Sequence, residues 1–225
     1  MTSSGDAHNV VIAIDGPAGA GKSTLARGLA EALGVAYVNT GLMYRALAEA
    51  ALRMHLDTSD ANALERAARD IRFDLDSGHP PSLLIDGRPP GADLETGEVE
   101  AAVSLVSRHP AVREVMRAAQ RELGERGAVM EGRDIATVVF PDADVKIFVT
   151  ASPEVRAARR LRERGGSAAA DALERRDELD ARTNPLEPSD GAVVIDSTSL
   201  SSEEVLGRAL EAVDAARPDR AGSDS

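Results

Sequence analysis

Asp15-Gly16-Pro17-Ala18-Gly19-Ala20-Gly21-Lys22-Ser23-Thr24 is the stretch on which the reading of this chain turns. It has the form G-x-x-x-x-G-K-S, a glycine loop whose backbone N–H groups cradle phosphate oxygens. Both flanks agree with that reading. Val10 to Ile14 is a short, mostly β-branched run, as a strand buried on both faces requires. Thr24 to Leu33 carries apolar residues at helical spacing and stops at Gly34, a residue suited to ending a helix. Strand, glycine loop and helix together aim N–H groups and a helix N-terminus at an anion. Gly16, Gly19 and Gly21 allow the loop φ values that a Cβ would penalise, with Pro17, Ala18 and Ala20 between them. Lys22 is placed to reach β- and γ-phosphates, the Ser23 hydroxyl to ligate Mg²⁺, and Thr24 to open the helix. Lys146 is the one other lysine in a chain that otherwise uses arginine. The stretch Gly16 to Thr24 therefore predicts binding of a nucleoside triphosphate.

Composition narrows the rest. The 225 residues suit one α/β domain with room for an insertion. Trp is absent and aromatics are 2 %, so the core must be aliphatic. A net charge of −12 argues against a broad nucleic-acid or anionic-membrane surface, so any basic site must be local and concave. No cysteine is present, which fits a cytoplasmic setting and removes disulfides and thiolate metal sites. No apolar run approaches the ~20 residues of a membrane span. Residues 1–9 and 217–225 read as loose polar tails around a single domain spanning 10–216.

Along the chain, strands and helices alternate. Val35 to Val38 reads as a second strand, running into Asn39-Thr40-Gly41-Leu42-Met43-Tyr44-Arg45, with Thr40 as N-cap of a helix reaching about Met54. Thr58 to Ala68 reads as another helix. Ile71–Leu75 and Leu83–Asp86 then alternate with period two amid Gly78, Pro80, Pro81, Pro89 and Pro90, predicting a small antiparallel β insertion. Helices are expected from about Thr96 and from Pro110 to Glu125. Ala128 to Met130 is a short strand leading into Glu131-Gly132-Arg133-Asp134, and Val145 to Val149 is a core strand. A helix from about Ser152 carries Arg156, Arg159, Arg160, Arg162 and Arg164, is broken at Gly165-Gly166-Ser167, and resumes to about Ala181. Val193 to Asp196 is the last strand and Ser201 to Ala215 the last helix, with Ser201 and Glu204 as a capping box. This alternation predicts a doubly wound parallel sheet with ligands at its carboxyl edge.

A glycine loop names a nucleotide, not a reaction. The guanine-reading N-K-x-D pattern is missing, and arginines at 45, 113, 133, 176 and 182 could fork onto a second phosphorylated substrate. The arginine-rich helices around Gly165 suggest a lid that excludes water. A small kinase acting on a nucleotide or an alcohol, and a non-catalytic nucleotide switch, both fit these residues.

Several segments together resemble bacterial cytidylate kinases. They are Ile14 to Thr24, Asn39 to Arg45, Val112-Arg113 through Gln120-Arg121, and Gly132 to Ala143 followed by Lys146-Ile147-Phe148. Arg176-Asp177 with Asp180 and Pro185-Leu186 completes the set. The resemblance runs from about Val10 to Ala215 and implies the nucleoside monophosphate kinase fold. It places a monophosphate-binding insertion at about 58–108 and a lid at about 156–182. It implies ATP-dependent, Mg²⁺-assisted phosphorylation of CMP and dCMP by a cytoplasmic monomer. It further implies that Thr40, Ser104, Arg113 and Asp134 read the cytosine edge, and that Arg45 and Arg133 clamp the CMP phosphate beside Tyr44. Arg176 and Asp180 would hold the ribose hydroxyl or phosphate side, joined by Arg182. Lys22, Arg133, Arg159 and Arg160 would act on the transferring group. Three positions depart from the family pattern. Asn39 stands for the usual Asp, Glu95 for a common Arg, and Asp180-Ala181-Arg182 is one residue shorter than D-x-x-R.

Overall fold

The computed structural model describes residues 10–164 and 187–216. The β-branched run before the glycine loop forms β1 (Val11–Asp15), buried along nearly all its length. The other strands of the main sheet are β2 (Ala36–Asn39), β5 (Ala128–Gly132), β6 (Val145–Thr150) and β7 (Val193–Asp196). All are parallel, in the order β2-β5-β1-β6-β7. The doubly wound parallel sheet is therefore present, and β1 lies at its centre.

Pleating divides β1 between two cores. Ile12 and Ile14 pack with Leu25, Leu29, Ile147 and Val149 on the face covered by α1 (Lys22–Leu33) and α7 (Ser202–Ala216). Ala13 faces the opposite core, with Val38, Met43, Leu47, Leu64, Met116 and Met130. That second core is roofed by α2 (Thr40–Arg53), α3 (Ala61–Asp70), α4 (Gly97–Ser107) and α5 (Pro110–Gly124). Ile12, Ile14 and Ile147 are at most 1 % exposed, each worth about 1.5–3 kcal/mol of apolar burial.

Register sets the site. Asp15 stands level with Gly132, and Asn39 with Glu131, so the segments after β1, β2 and β5 leave the sheet at one edge. The antiparallel insertion is present as β3 (Phe73–Leu75) and β4 (Leu83–Ile85), and it touches the β2 edge through a Tyr37–Ser82 bridge. The arginine-rich helix is α6 (Pro153–Arg164); the expected helical segment to Ala181 lies outside the described residues. The Ser201–Glu204 capping box forms in both directions, at 2.8 and 3.2 Å. Among the described residues no helix is long and apolar enough to cross a membrane.

One expected cap is corrected. Asn39, not Thr40, is the N-cap of α2, its side chain accepting from the Leu42 N–H at 3.2 Å. β2 runs into α2 without a loop, so the last extended residue, Asn39, supplies the cap. Thr40 is already helical and turns its hydroxyl to donate to the Glu131 carbonyl at 2.7 Å.

Candidate active site

The carboxyl edge of the sheet opens into a cavity of about 870 Å³. One wall is the glycine loop and the start of α1: Ala18, Gly19, Gly21, Lys22, Ser23 and Thr24. The facing wall is built by Asn39, Thr40, Tyr44 and Arg45 of the β2–α2 segment, and by Glu131 to Asp134 after β5. Arg113 of α5, Val103 and Ser107 of α4, Glu95, and Arg160 of α6 complete it. Five cationic side chains against three carboxylates line this cavity. In a chain of net charge −12, that local excess of cations favours anionic ligands.

The glycine loop is braced from outside. Arg156 donates to the Ala18 carbonyl at 3.2 Å, Arg159 to those of Ala20 (3.2 Å) and Gly19 (3.4 Å), and Ser197 Oγ to Ala20 at 2.9 Å. In a trans peptide the next N–H points the opposite way. The N–H groups of Gly19 and Gly21 are therefore turned from these braces toward the cavity that both glycines line. Lys22 Nζ donates to the Pro17 carbonyl at 2.9 Å, and Arg133 Nη1 to Gly16 at 3.0 Å.

Arg159 and Arg160, paired in the sequence reading, face different surroundings. Arg159 is spent on the loop carbonyls and on Ser197, whose carbonyl it meets at 2.8 Å. Arg160 lines the cavity. Ser104 is half-buried and does not line the cavity, whereas Val103 and Ser107, four residues apart on one face of α4, do. Arg176, Asp180 and Arg182 lie outside the described residues.

Asp134 accepts from Arg113 Nη2 at 2.7 Å and Arg117 Nη2 at 3.1 Å. The two arginines sit four apart on α5, so one carboxylate serves both. Burial pulls the Arg117 pKa down, but the hydrogen bond and charge of Asp134 outweigh it, and the net shift is upward. Tyr44 packs beside this group, and burial pushes its hydroxyl up to about 12, Arg113 opposing. Arg45 is buried and donates to the Leu94 carbonyl at 2.9 Å.

Two acids were not singled out from the sequence. Asp15 is buried and accepts from the Ile135 (2.9 Å) and Ala136 (2.8 Å) N–H groups, fixing the turn after Arg133-Asp134 to the end of β1. Burial raises its pKa against those two backbone donors. Glu131 is also buried and accepts from the Tyr37 hydroxyl at 2.8 Å. Asp15 ends β1 and Glu131 is one residue from the end of β5, positions where a buried acid is out of place unless it serves the site; that was the available signal.

The cytidylate kinase family model matches residues 12–215. A cytidylate kinase of Geobacillus kaustophilus is 48 % identical over 218 residues, 92 % of this chain and 97 % of that protein. One from Mycobacterium avium is 44 % identical over 211 residues, 88 % and 92 % of the two chains. One from Solibacter usitatus is 45 % identical over 217 residues, 91 % and 92 % of the two chains. The solved structure of TT1252 from Thermus thermophilus is similar at a TM-score of 0.45 and 22 % identity, covering 92 % of this chain and 97 % of that one. With the match spanning nearly every described residue and the phosphate loop facing a second cationic wall, the chain belongs to the cytidylate kinase family.

Proposed function

We propose that the chain transfers the γ-phosphoryl group of ATP to CMP and dCMP, giving ADP with CDP or dCDP. The observation that carries this is one cavity shared by a phosphate loop and, opposite it, Arg45, Arg113, Arg133 and Asp134. Two phosphorylated substrates can meet there with their reacting groups in line, which is most of what phosphoryl transfer needs.

On this reading Gly16 to Thr24 hold the ATP phosphates and Lys22 neutralises the transferring group. Arg45 and Arg133 clamp the acceptor phosphate, and Arg160 closes on the γ-phosphoryl from α6. Arg159 acts one step back, keeping the loop carbonyls turned outward. Arg113 and Asp134, with Thr40, read the cytosine edge, and Tyr44 packs beside them. Ser104 belongs to the same reading by resemblance, as do Arg176, Asp180 and Arg182 for the ribose side. The exposed Ser23 hydroxyl at the head of α1 suits an Mg²⁺ that arrives on ATP and keeps most of its waters. When bound, that ion would offset negative charge on the phosphates during transfer. We assign residues 58–108 to monophosphate binding and 156–182 to the lid, in a monomer working in the cytoplasm on small molecules rather than nucleic acid.

Product analysis tests the proposal: MgATP and CMP should give CDP and ADP in equal amounts. ADP and inorganic phosphate without CDP would overturn it. Arg113→Ala is expected to raise KM for CMP by about 10- to 100-fold, the cost of losing a hydrogen bond to a charged group. Its kcat should fall less, because Arg113 is paired with Asp134 on the base-reading side of the cavity. A CMP saturation curve indistinguishable from the parent's would remove Arg113 from base recognition.

A further inference from the structure

Glu100, in the first turn of α4, reaches two arginines of different elements: Arg45 of α2 at 3.7 Å and Arg160 of α6 at 3.5 Å. Both arginines line the cavity; the three side chains are 10, 15 and 18 % exposed for Arg45, Arg160 and Glu100. Arg45 is anchored independently on the Leu94 carbonyl, so Glu100 is not needed to keep it in place. What Glu100 does is let two guanidiniums converge that would otherwise repel. Its carboxylate also offers them the same kind of acceptor oxygens as a phosphate. At 3.5–3.7 Å the contacts are ion pairs without the short, forked geometry of a tight guanidinium–carboxylate bond, so a dianion can compete for the same arms.

We propose that Glu100 is a positioning residue that holds the Nη2 arms of Arg45 and Arg160 until the acceptor binds, and that the acceptor's phosphate displaces it. This rests on the roles given to those arginines above. Arrival of the acceptor phosphate then frees Arg160 for the transferring group. A nucleoside without a phosphate cannot displace the carboxylate, so Arg160 stays on Glu100. The displacement opposes acceptor binding and ties activation of ATP to the presence of a phosphorylated acceptor.

Glu100→Gln keeps the size and removes the charge. KM for CMP is expected to fall about three- to tenfold, the size of one or two partly exposed ion pairs no longer competing, with a larger change in KM than in kcat. ATP hydrolysis without acceptor should rise several-fold, since the Glu100 carboxylate no longer competes with ATP for Arg160. Glu100→Ala should move both in the same direction, which guards against a residual hydrogen bond from the amide. An acid in a first helical turn also favours the helix dipole, and that role alone would lower the melting temperature while leaving KM unchanged or higher. Unchanged or raised KM in both variants overturns the proposal. The parent enzyme assayed alongside separates the two readings. If it makes CDP while the variants match it, this inference alone fails; if it makes none, the kinase reading fails and this one with it.

Discussion

Lys22→Ala is expected to lower kcat for CMP phosphorylation by about three orders of magnitude or more, while the melting temperature hardly moves. Lys22 is half-buried, and it donates to the Pro17 carbonyl within its own loop at 2.9 Å. The catalytic demand on it is large because phosphoryl transfer depends on charge stabilisation more than on acid–base chemistry. A preorganised cation lost at the transferring group typically costs about 10²–10³ in rate, and more where it also positions the phosphates. Steady-state kinetics with saturating CMP measures it. A variant within tenfold of the parent would mean that Lys22 does not meet the transferring group.

Gly16→Ala should cost several kcal/mol of stability and abolish ATP binding, through backbone geometry rather than chemistry. Gly16 has φ +146°, and a Cβ built there lies 2.0 Å from the Val149 carbonyl oxygen and 3.0 Å from its carbon. That oxygen cannot yield cheaply, because Val149 is fully buried in β6 and registered against Ile195 of β7. The loop must move instead, taking with it the Gly16 carbonyl that Arg133 grips. Backbone strain and overpacking of about 1–3 kcal/mol each set the scale. Gly207→Ala is the control, since nothing lies within 4 Å of its Cβ and α7 gains a better helix former. Denaturant melts of the two variants should move in opposite directions. A Gly16→Ala protein as stable as the parent would contradict the packing described here.

The fold was legible because its signals are local. The β-branched runs at 11–15 and 145–150 could only be buried parallel strands, and the loop Gly16 to Ser23 could only join one to a helix. What the sequence hid depends on contacts between distant segments. After Asp134 the chain makes a wide turn, with the Val139 and Phe140 N–H groups reaching back five residues to the Asp134 and Ile135 carbonyls. That turn sits where Asp15 takes the Ile135 and Ala136 N–H groups, a pairing across 120 residues or more that no periodicity encodes. The swap of cap between Asn39 and Thr40 has the same origin, for either side chain can cap, and the Glu131 carbonyl claims the threonine. Helical phase explains Ser104, about 100° round α4 from Val103, which faces the cavity. Arg159 looks like an active-site cation in sequence, yet it and Arg156 serve the loop as carbonyl partners. The cationic character of the second wall was readable; which arginine faces which partner was not.

Coupled ADP release from MgATP with CMP, dCMP, UMP and AMP in parallel shows whether this cavity aligns ATP with a cytosine monophosphate. kcat/KM should be highest for CMP and dCMP, with AMP lower by about two orders of magnitude or more, because a polar edge-reading site rejects a base that leaves its groups unpaired. Equal turnover of AMP and CMP would contradict the base assignment, and ATP bound without turnover of any of the four would contradict the kinase itself.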